Sequence, residues 1–187
     1  TDEPASALLE RIRAEKAQLT KDGKIKREKN PSHIFRSEDG HFYERVGKNE
    51  PVCIDEELPF EIPECWEWTR LNEMTLFTTD YVANGSFASL RKNVKTYKEP
   101  NYAIMVKTQD FSTHFSRDLT YTDADGYFFL RKSQLHGGEL MLSNIGASIG
   151  KAYIIPNLNQ PMTLAPNSII AKCSDETTTH FLRYTIL

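Results

Sequence analysis

Gly137-Gly138-Glu139-Leu140-Met141-Leu142-Ser143-Asn144-Ile145-Gly146-Ala147-Ser148-Ile149-Gly150-Lys151-Ala152-Tyr153-Ile154-Ile155-Pro156 is the stretch whose reading decides the fold. Two short apolar runs, Leu140 to Leu142 and Tyr153 to Ile155, are bounded by glycine and proline, which is how buried strands read. Between them lies a loop of small and polar residues with Gly146 and Gly150, which let a backbone turn sharply and approach a partner closely. A strand, a bare polar loop and a returning strand make a recognition surface held on a rigid sheet.

Outward from this hairpin the pattern stays strand-rich. Tyr102 to Val106 reads as a strand running into Lys107-Thr108-Gln109-Asp110-Phe111, and Ser168 to Cys173 as another, with a helix starting near Thr178. Pro59 to Leu71 alternates aromatic with polar, the period of a half-buried strand, and a short helix over Leu71 to Phe77 follows. Residues 112–126 are polar and turn-rich, while Tyr127 to Leu130 fits strand and short helix equally. Nearer the start, His33-Ile34-Phe35 and His41-Phe42-Tyr43 flank Ser37-Glu38-Asp39-Gly40, where Asp-Gly supplies the positive φ angles of a tight hairpin turn. Residues 47–59 are acidic and loop-like.

Residues 4–22 read as an amphipathic helix, with Ala5, Leu8, Leu9, Ile12 and Leu19 on one stripe, Asp2 or Glu3 as cap and Gly23 just past its end. Charged residues 24–31 then read as a solvated linker. Strands outnumber helices and do not alternate with them. The expected class is therefore α+β: a mixed or antiparallel twisted sheet with short helices, preceded by the N-terminal helix and a β-hairpin. Three segments follow: 1–31, helix and linker; 32–58, hairpin and acidic loop; 59–187, the main domain.

The 187 residues suffice for one well-packed domain plus an appendage. No apolar run approaches the ~20 residues of a membrane helix, and the N-terminus lacks a signal-peptide pattern. Cys53, Cys65 and Cys173 are odd in number and widely spaced, which reads as a reduced, cytoplasmic protein. A start at Thr1 and an apolar pattern from His180 to Leu187 predict a piece of a longer polypeptide. The net charge of -3 conceals segregation. Residues 1–36 carry 9 basic and 6 acidic side chains, residues 37–80 carry 3 and 12, and residues 81–187 carry 11 and 8. An acidic middle masks two basic stretches.

Several motifs have ordinary explanations. Gly146 to Gly150 fits the G-x-S-x-G nucleophile elbow, with Asp175 and His180 following, so a serine esterase using Ser148 is one alternative. That chemistry needs a helix after Ser148, and Tyr153-Ile154-Ile155-Pro156 is a strand pattern. The same absence of a helix removes a phosphate-loop reading of Gly146 to Lys151. His33, His41, His114, His136 and His180 show no paired metal spacing with one another or with the cysteines. A second alternative is a protein-interaction scaffold that docks through the apolar stripe of residues 4–22.

What remains is a set of loop and strand-end residues able to read base edges. Arginine and lysine bond guanine, and asparagine and glutamine bond adenine. Asn84, Arg91, Lys92, Lys95, Lys107, Gln109, Asn144, Ser148, Lys151 and Asn167 are the candidate DNA-binding residues, with no catalytic or metal-ligating set beside them.

At these residues the chain resembles the specificity subunits of type I restriction-modification enzymes. The helix from Glu3 to Lys16 with Lys21-Asp22-Gly23-Lys24-Ile25-Lys26 looks like the segment preceding a target recognition domain there, and Phe60 to Trp68 is similar to that domain's opening. Thr108-Gln109-Asp110-Phe111 resembles the family's threonine-x-aspartate segment. Gly138 to Lys151 resembles its glycine-x-isoleucine-leucine-leucine-serine hallmark, with Glu139 where aspartate is usual.

The resemblance implies a non-catalytic reader of one half of a split site in double-stranded DNA. It also implies binding to modification (methyltransferase) subunits, with restriction subunits joining through the complex. S-adenosylmethionine, ATP and magnesium would serve those partners, leaving this chain without a cofactor or a membrane role of its own. The helix and linker suggest the N-terminal of the two recognition domains.

Overall fold

The computed structural model describes residues 3–146 and 149–186. Two compact units divide the chain, Thr1–Phe77 and Thr78–Leu187.

In the first unit, helix α1 (Ala5–Lys21) buries Leu9 and Ile12 of the expected stripe. Ala5, Leu8 and Leu19 of the same stripe are half-buried, so much of the surface that the scaffold reading would use is already covered. Pro4 holds the N-cap position without a side-chain cap; Glu3 pairs with Arg11 at 3.2 Å instead, and the Ala5 N–H donates to the Cys65 carbonyl. The helix ends as expected, with Gly23 at φ 70°. Strands β1 (Ser32–Arg36), β2 (Phe42–Val46) and β3 (Val52–Cys53) form an antiparallel sheet in that order. Its first turn is the Asp-Gly hairpin, with Gly40 at φ 89°. Arg70 ties the sheet to the 3-10 turn Asp55–Glu57, bonding both Glu44 and Glu57.

Two expectations for this unit need correction. Residues 59–70 form no strand before helix α2 (Leu71–Met74). Pro59 and Pro63 have no N–H to give a ladder, and Trp66 N–H turns back to the Pro63 carbonyl at 2.9 Å. The aromatic alternation instead lets the rings of Phe60 and Trp68 meet at 5.2 Å. The charged connection is also docked rather than fully solvated. Glu28 accepts from Lys16 at 3.3 Å and from the Asn72 amide.

The second unit opens within β4 (Phe77–Asp80) and continues with α3 (Phe87–Asn93), then β5 (Ala103–Val106), α4 (Thr108–Ser112), β6 (Tyr121–Thr122) and α5 (Ala124–Phe129). After these come β7 (Gln134–Leu135), β8 (Leu140–Ser143), β9 (Ala152–Ile154), β10 (Met162–Leu164), β11 (Ser168–Lys172) and α6 (Glu176–Ile186). One four-stranded sheet has the order β6-β5-β10-β7, the other β4-β11-β8-β9. β5 and β10 are parallel; β6 and β7 run antiparallel to them, as do β11 and β9 to β8. Ile104, Val106, Leu135, Met162 and Leu164 from the first sheet and Met141 and Ile170 from the second join one core. Leu90 and Val94 of the α3 segment pack with Met105, Leu130 and Ala165 in a further cluster. The architecture is α+β with a mixed sheet and antiparallel ladders, as expected. Arg91 and Lys92, expected in a loop, sit in the last turn of α3, which Ser86 starts by accepting the Ser89 N–H.

Candidate nucleic-acid interface

Strand direction decides which loops meet. β5 and β10 run parallel, so the segments leaving their C-termini emerge at the same edge. Ala165 N–H donates to the Val106 carbonyl at 3.0 Å, which fixes residues 165–167 beside Lys107. The chain then enters β11 at Ser168, and Ser168 pairs with Ser143 at the end of β8. Across the hairpin, Ser143 N–H donates to the Lys151 carbonyl at 3.1 Å. A continuous line of backbone bonds therefore places Lys107, Gln109, Asn144, Lys151 and Asn167 at one end of both sheets. Gln109, Asn144, Lys151 and Asn167 are exposed there. Asn167 adopts φ 74°, a left-handed conformation that asparagine tolerates better than most residues. Ser148 lies outside the described residues.

The other candidates are placed elsewhere. Thr122 Oγ1 donates to the Lys95 carbonyl, and Thr122 pairs with Ala103, the first residue of β5. Lys95 thus lies toward the opposite end of that strand, with Arg91 and Lys92 on α3 leading to it. These three exposed cations form a separate basic group. Asn84 is engaged internally: its amide donates to Ser133 Oγ (2.8 Å) and the Tyr81 carbonyl (3.0 Å) and accepts the Lys132 N–H (2.9 Å). An amide so occupied acts as a clasp between two turns rather than as a base reader. Gln109 stands in helix α4 rather than in an open loop.

Lys107 is likewise held. Its Nζ donates to Thr120 Oγ1 at 3.0 Å and to the Asp118 carbonyl at 3.3 Å, and lies 3.7 Å from Asp110. The threonine-x-aspartate segment acquires a physical meaning here. Asp110 is 2% exposed and accepts the Lys107 N–H at 2.8 Å, capping α4. Burial pushes its carboxyl up from the ordinary value, while the Lys107 amide and ammonium oppose that shift. The hallmark acid has a similar function. Glu139, 3% exposed, accepts the N–H groups of His136 and Gly137, each at 2.9 Å, and so holds the turn that feeds β8.

Three further features lie outside the predicted set. The loop following α4 carries His114, Phe115 and Asp118 at φ 50°, 56° and 59°. Left-handed backbone at a bulky aromatic is costly and persists because the rest of the fold enforces it; Phe115 is pinned edge-on to Phe111 at 5.1 Å. The loop displays exposed His114 and Arg117, and its Asp118 carbonyl accepts from Lys107. Second, a cleft of about 250 Å³ is lined by Asn84, Phe128, Phe129, Arg131 and Lys132, joining exposed cations to an aromatic face. Third, Ile145 and Ile149 beside the glycines of the β8–β9 loop are 55% and 67% exposed. The Arg131-Lys132 pair after an aromatic run was the visible signal for the cleft; left-handed φ at non-glycine residues has none.

The esterase alternative lacks its scaffold. The element after Ser148 is strand β9, and Asp175 caps α6 through the Thr178 N–H at 2.7 Å. His180 has Glu176 at 3.6 Å. Among the described residues, no helix is long and apolar enough to cross a membrane.

No family model matches the chain. Over 127 residues, 67% of its length, it is 45% identical to the specificity subunit of the EcoAI type I restriction enzyme of Escherichia coli. Over 73 residues, 39% of its length, it is 47% identical to the EcoEI specificity subunit of the same organism. These alignments span 18% and 9% of the two relatives, so the chain corresponds to a minor part of each.

Proposed function

We propose that this relative of the type I specificity subunits is a target recognition domain, a non-catalytic module that reads one half of a bipartite site in double-stranded DNA. In this role it directs modification (methyltransferase) subunits, and through them restriction subunits, to that site. The observation that carries the reading is the gathering of Gln109, Asn144, Lys151 and Asn167 at one end of two sheets that share a core. Amide side chains on strand ends and on the short helix α4 suit bidentate contact with adenine in the major groove, and a flanking lysine suits guanine or phosphate. Lys107, Asp110 and Glu139 position the loops, and Arg91, Lys92 and Lys95 contact the sugar–phosphate backbone.

The test is selection of bound duplexes from a randomised pool by the chain together with its modification subunits. Gln109→Ala or Asn144→Ala changes the base preferred at one position, whereas Lys92→Glu or Lys95→Glu weakens binding to all sequences alike. Unchanged preference in both amide variants would refute the assignment.

A further inference from the structure

The hairpin of the first unit assembles a set of donors that their sequence spacing hides. His41 immediately precedes β2, Cys53 ends β3 and Asp55 opens the following 3-10 turn. The register sets Cys53 opposite Tyr43, and the Ile54 N–H donates to the Phe42 carbonyl at 2.9 Å, so both sides of the cluster ride on one ladder. One donor atom each from His41, Cys53 and Asp55 falls within 4.8 Å of the other two.

The ligand atoms are also oriented. Asp55 Oδ1 accepts the Phe42 N–H at 2.7 Å, which turns its Oδ2 to the imidazole, 2.5 Å from His41 Nδ1. Asp39 Oδ1 accepts the His41 N–H at 3.0 Å and its Oδ2 accepts the Tyr43 hydroxyl at 2.9 Å, fixing the backbone that carries the imidazole. Outer-shell hydrogen bonds of this kind hold ligands in metal sites. All three side chains are exposed, so an ion reaches them from solvent.

We propose that His41, Cys53 and Asp55 form a binding site for a zinc-class transition-metal ion. A thiolate, an imidazole and a carboxylate are the donor types Zn²⁺ takes, whereas Mg²⁺ and Ca²⁺ prefer oxygen alone. Ligand atoms about 2.0–2.3 Å from a tetrahedral ion stand roughly 3.3–3.8 Å apart, so Nδ1 and Oδ2, now 2.5 Å apart in a hydrogen bond, separate by about an ångström while the Cys53 thiol closes from its place within 4.8 Å. Three protein ligands leave the fourth position to water. Metal ions compete with protons for ligands of these types, so binding strengthens as pH rises. The site lies within one unit and stands apart from the DNA-reading proposal.

The test titrates the reduced, metal-free 187-residue chain with Co²⁺ and Zn²⁺. One equivalent of Co²⁺ is expected to produce a near-ultraviolet thiolate-to-cobalt absorption that Zn²⁺ bleaches. Cys53→Ser removes that absorption, and His41→Ala or Asp55→Ala lowers Zn²⁺ affinity at least about tenfold, as measured against a chromophoric chelator. Cys65→Ser and Cys173→Ser leave both signals intact. Far-UV circular dichroism verifies that each variant is folded. Absence of the absorption in the parent chain, its survival in Cys53→Ser, or unchanged Zn²⁺ affinity in His41→Ala would overturn the proposal.

Discussion

Replacing Glu139 by alanine tests whether the hallmark acid is structural. Its carboxylate accepts two backbone N–H groups at 2.9 Å and is 3% exposed. A hydrogen bond to a charged acceptor contributes about 1.5–3 kcal/mol, so two set an upper bound of about 3–6 kcal/mol. His136 is exposed and Gly137 half-buried, so both N–H groups regain water once the carboxylate is gone. Gly137 must keep φ 92°, and its neighbour Asn157 stands only 3.1 Å from where a Cβ would be, which limits how far the turn relaxes. A net loss of about 2–4 kcal/mol follows for Glu139→Ala. Glu139→Gln keeps one acceptor oxygen but points an NH₂ at the second donor, for a loss of about 1–2 kcal/mol.

Urea unfolding followed by far-UV circular dichroism gives the totals. Hydrogen exchange at the β8 and β9 amides localises the effect, and Trp66 and Trp68 fluorescence serves as the control for the first unit. An alanine variant within about 0.5 kcal/mol of the parent, with unchanged exchange in β8 and β9, would refute the reasoning.

Gly126→Ala places a methyl group 2.1 Å from Thr122 Oγ1 and 3.2 Å from Asp123 Oδ1, inside a buried turn; a loss of about 2–3 kcal/mol in urea unfolding is expected. Glu44 is held at about 2, first by Arg70 and then by Ser32, against an ordinary 4.5. Because the folded value is depressed, this pairing stabilises the first unit fully above about pH 4.5 and loses its effect as pH falls toward 2. Arg70 is 43% exposed, so screening reduces the contribution to about 1 kcal/mol, measured as the parent-minus-Glu44→Gln difference in acid unfolding by tryptophan fluorescence. Asp123 accepts the Gly126 N–H and the Tyr97 hydroxyl, both at 2.8 Å; Asp123→Ala should cost about 1–2 kcal/mol and expose the α5 amides to exchange, while Tyr97→Phe costs less.

Elements with strong periodicity or a glycine turn were readable from the chain. The stripe of residues 4–22 gives α1 within a residue at either end, Asp39-Gly40 gives the first hairpin, and the two apolar runs around Gly146 and Gly150 give β8 and β9. β10 was missed because Met162-Thr163-Leu164 is only three residues, all buried, with Thr163 donating to the Ser133 carbonyl. Nothing in so short a run separates a central strand from a loop. Conversely, the alternation from Pro59 to Leu71 suggested a strand that two prolines prevent.

The site followed the same logic. Gln109, Asn144, Lys151 and Asn167 suit base contact by their chemistry, and the parallel pairing of β5 with β10 is what brings them to one end. Asn84 and Lys107 looked free because side-chain bonds to Ser133 and Thr120, distant in sequence, leave no trace in local pattern. The meeting of His41, Cys53 and Asp55 depends likewise on hairpin register.

The most direct measurement is the salt dependence of duplex binding by the chain with the modification subunits proposed for it, for the parent and for Lys151→Glu. Contact with phosphates at the shared sheet end predicts a log–log slope steeper than about −2 for the parent and shallower by about 1 in the variant. A flat slope, or identical titrations for the two proteins, would contradict the claim that this end of the sheets meets DNA.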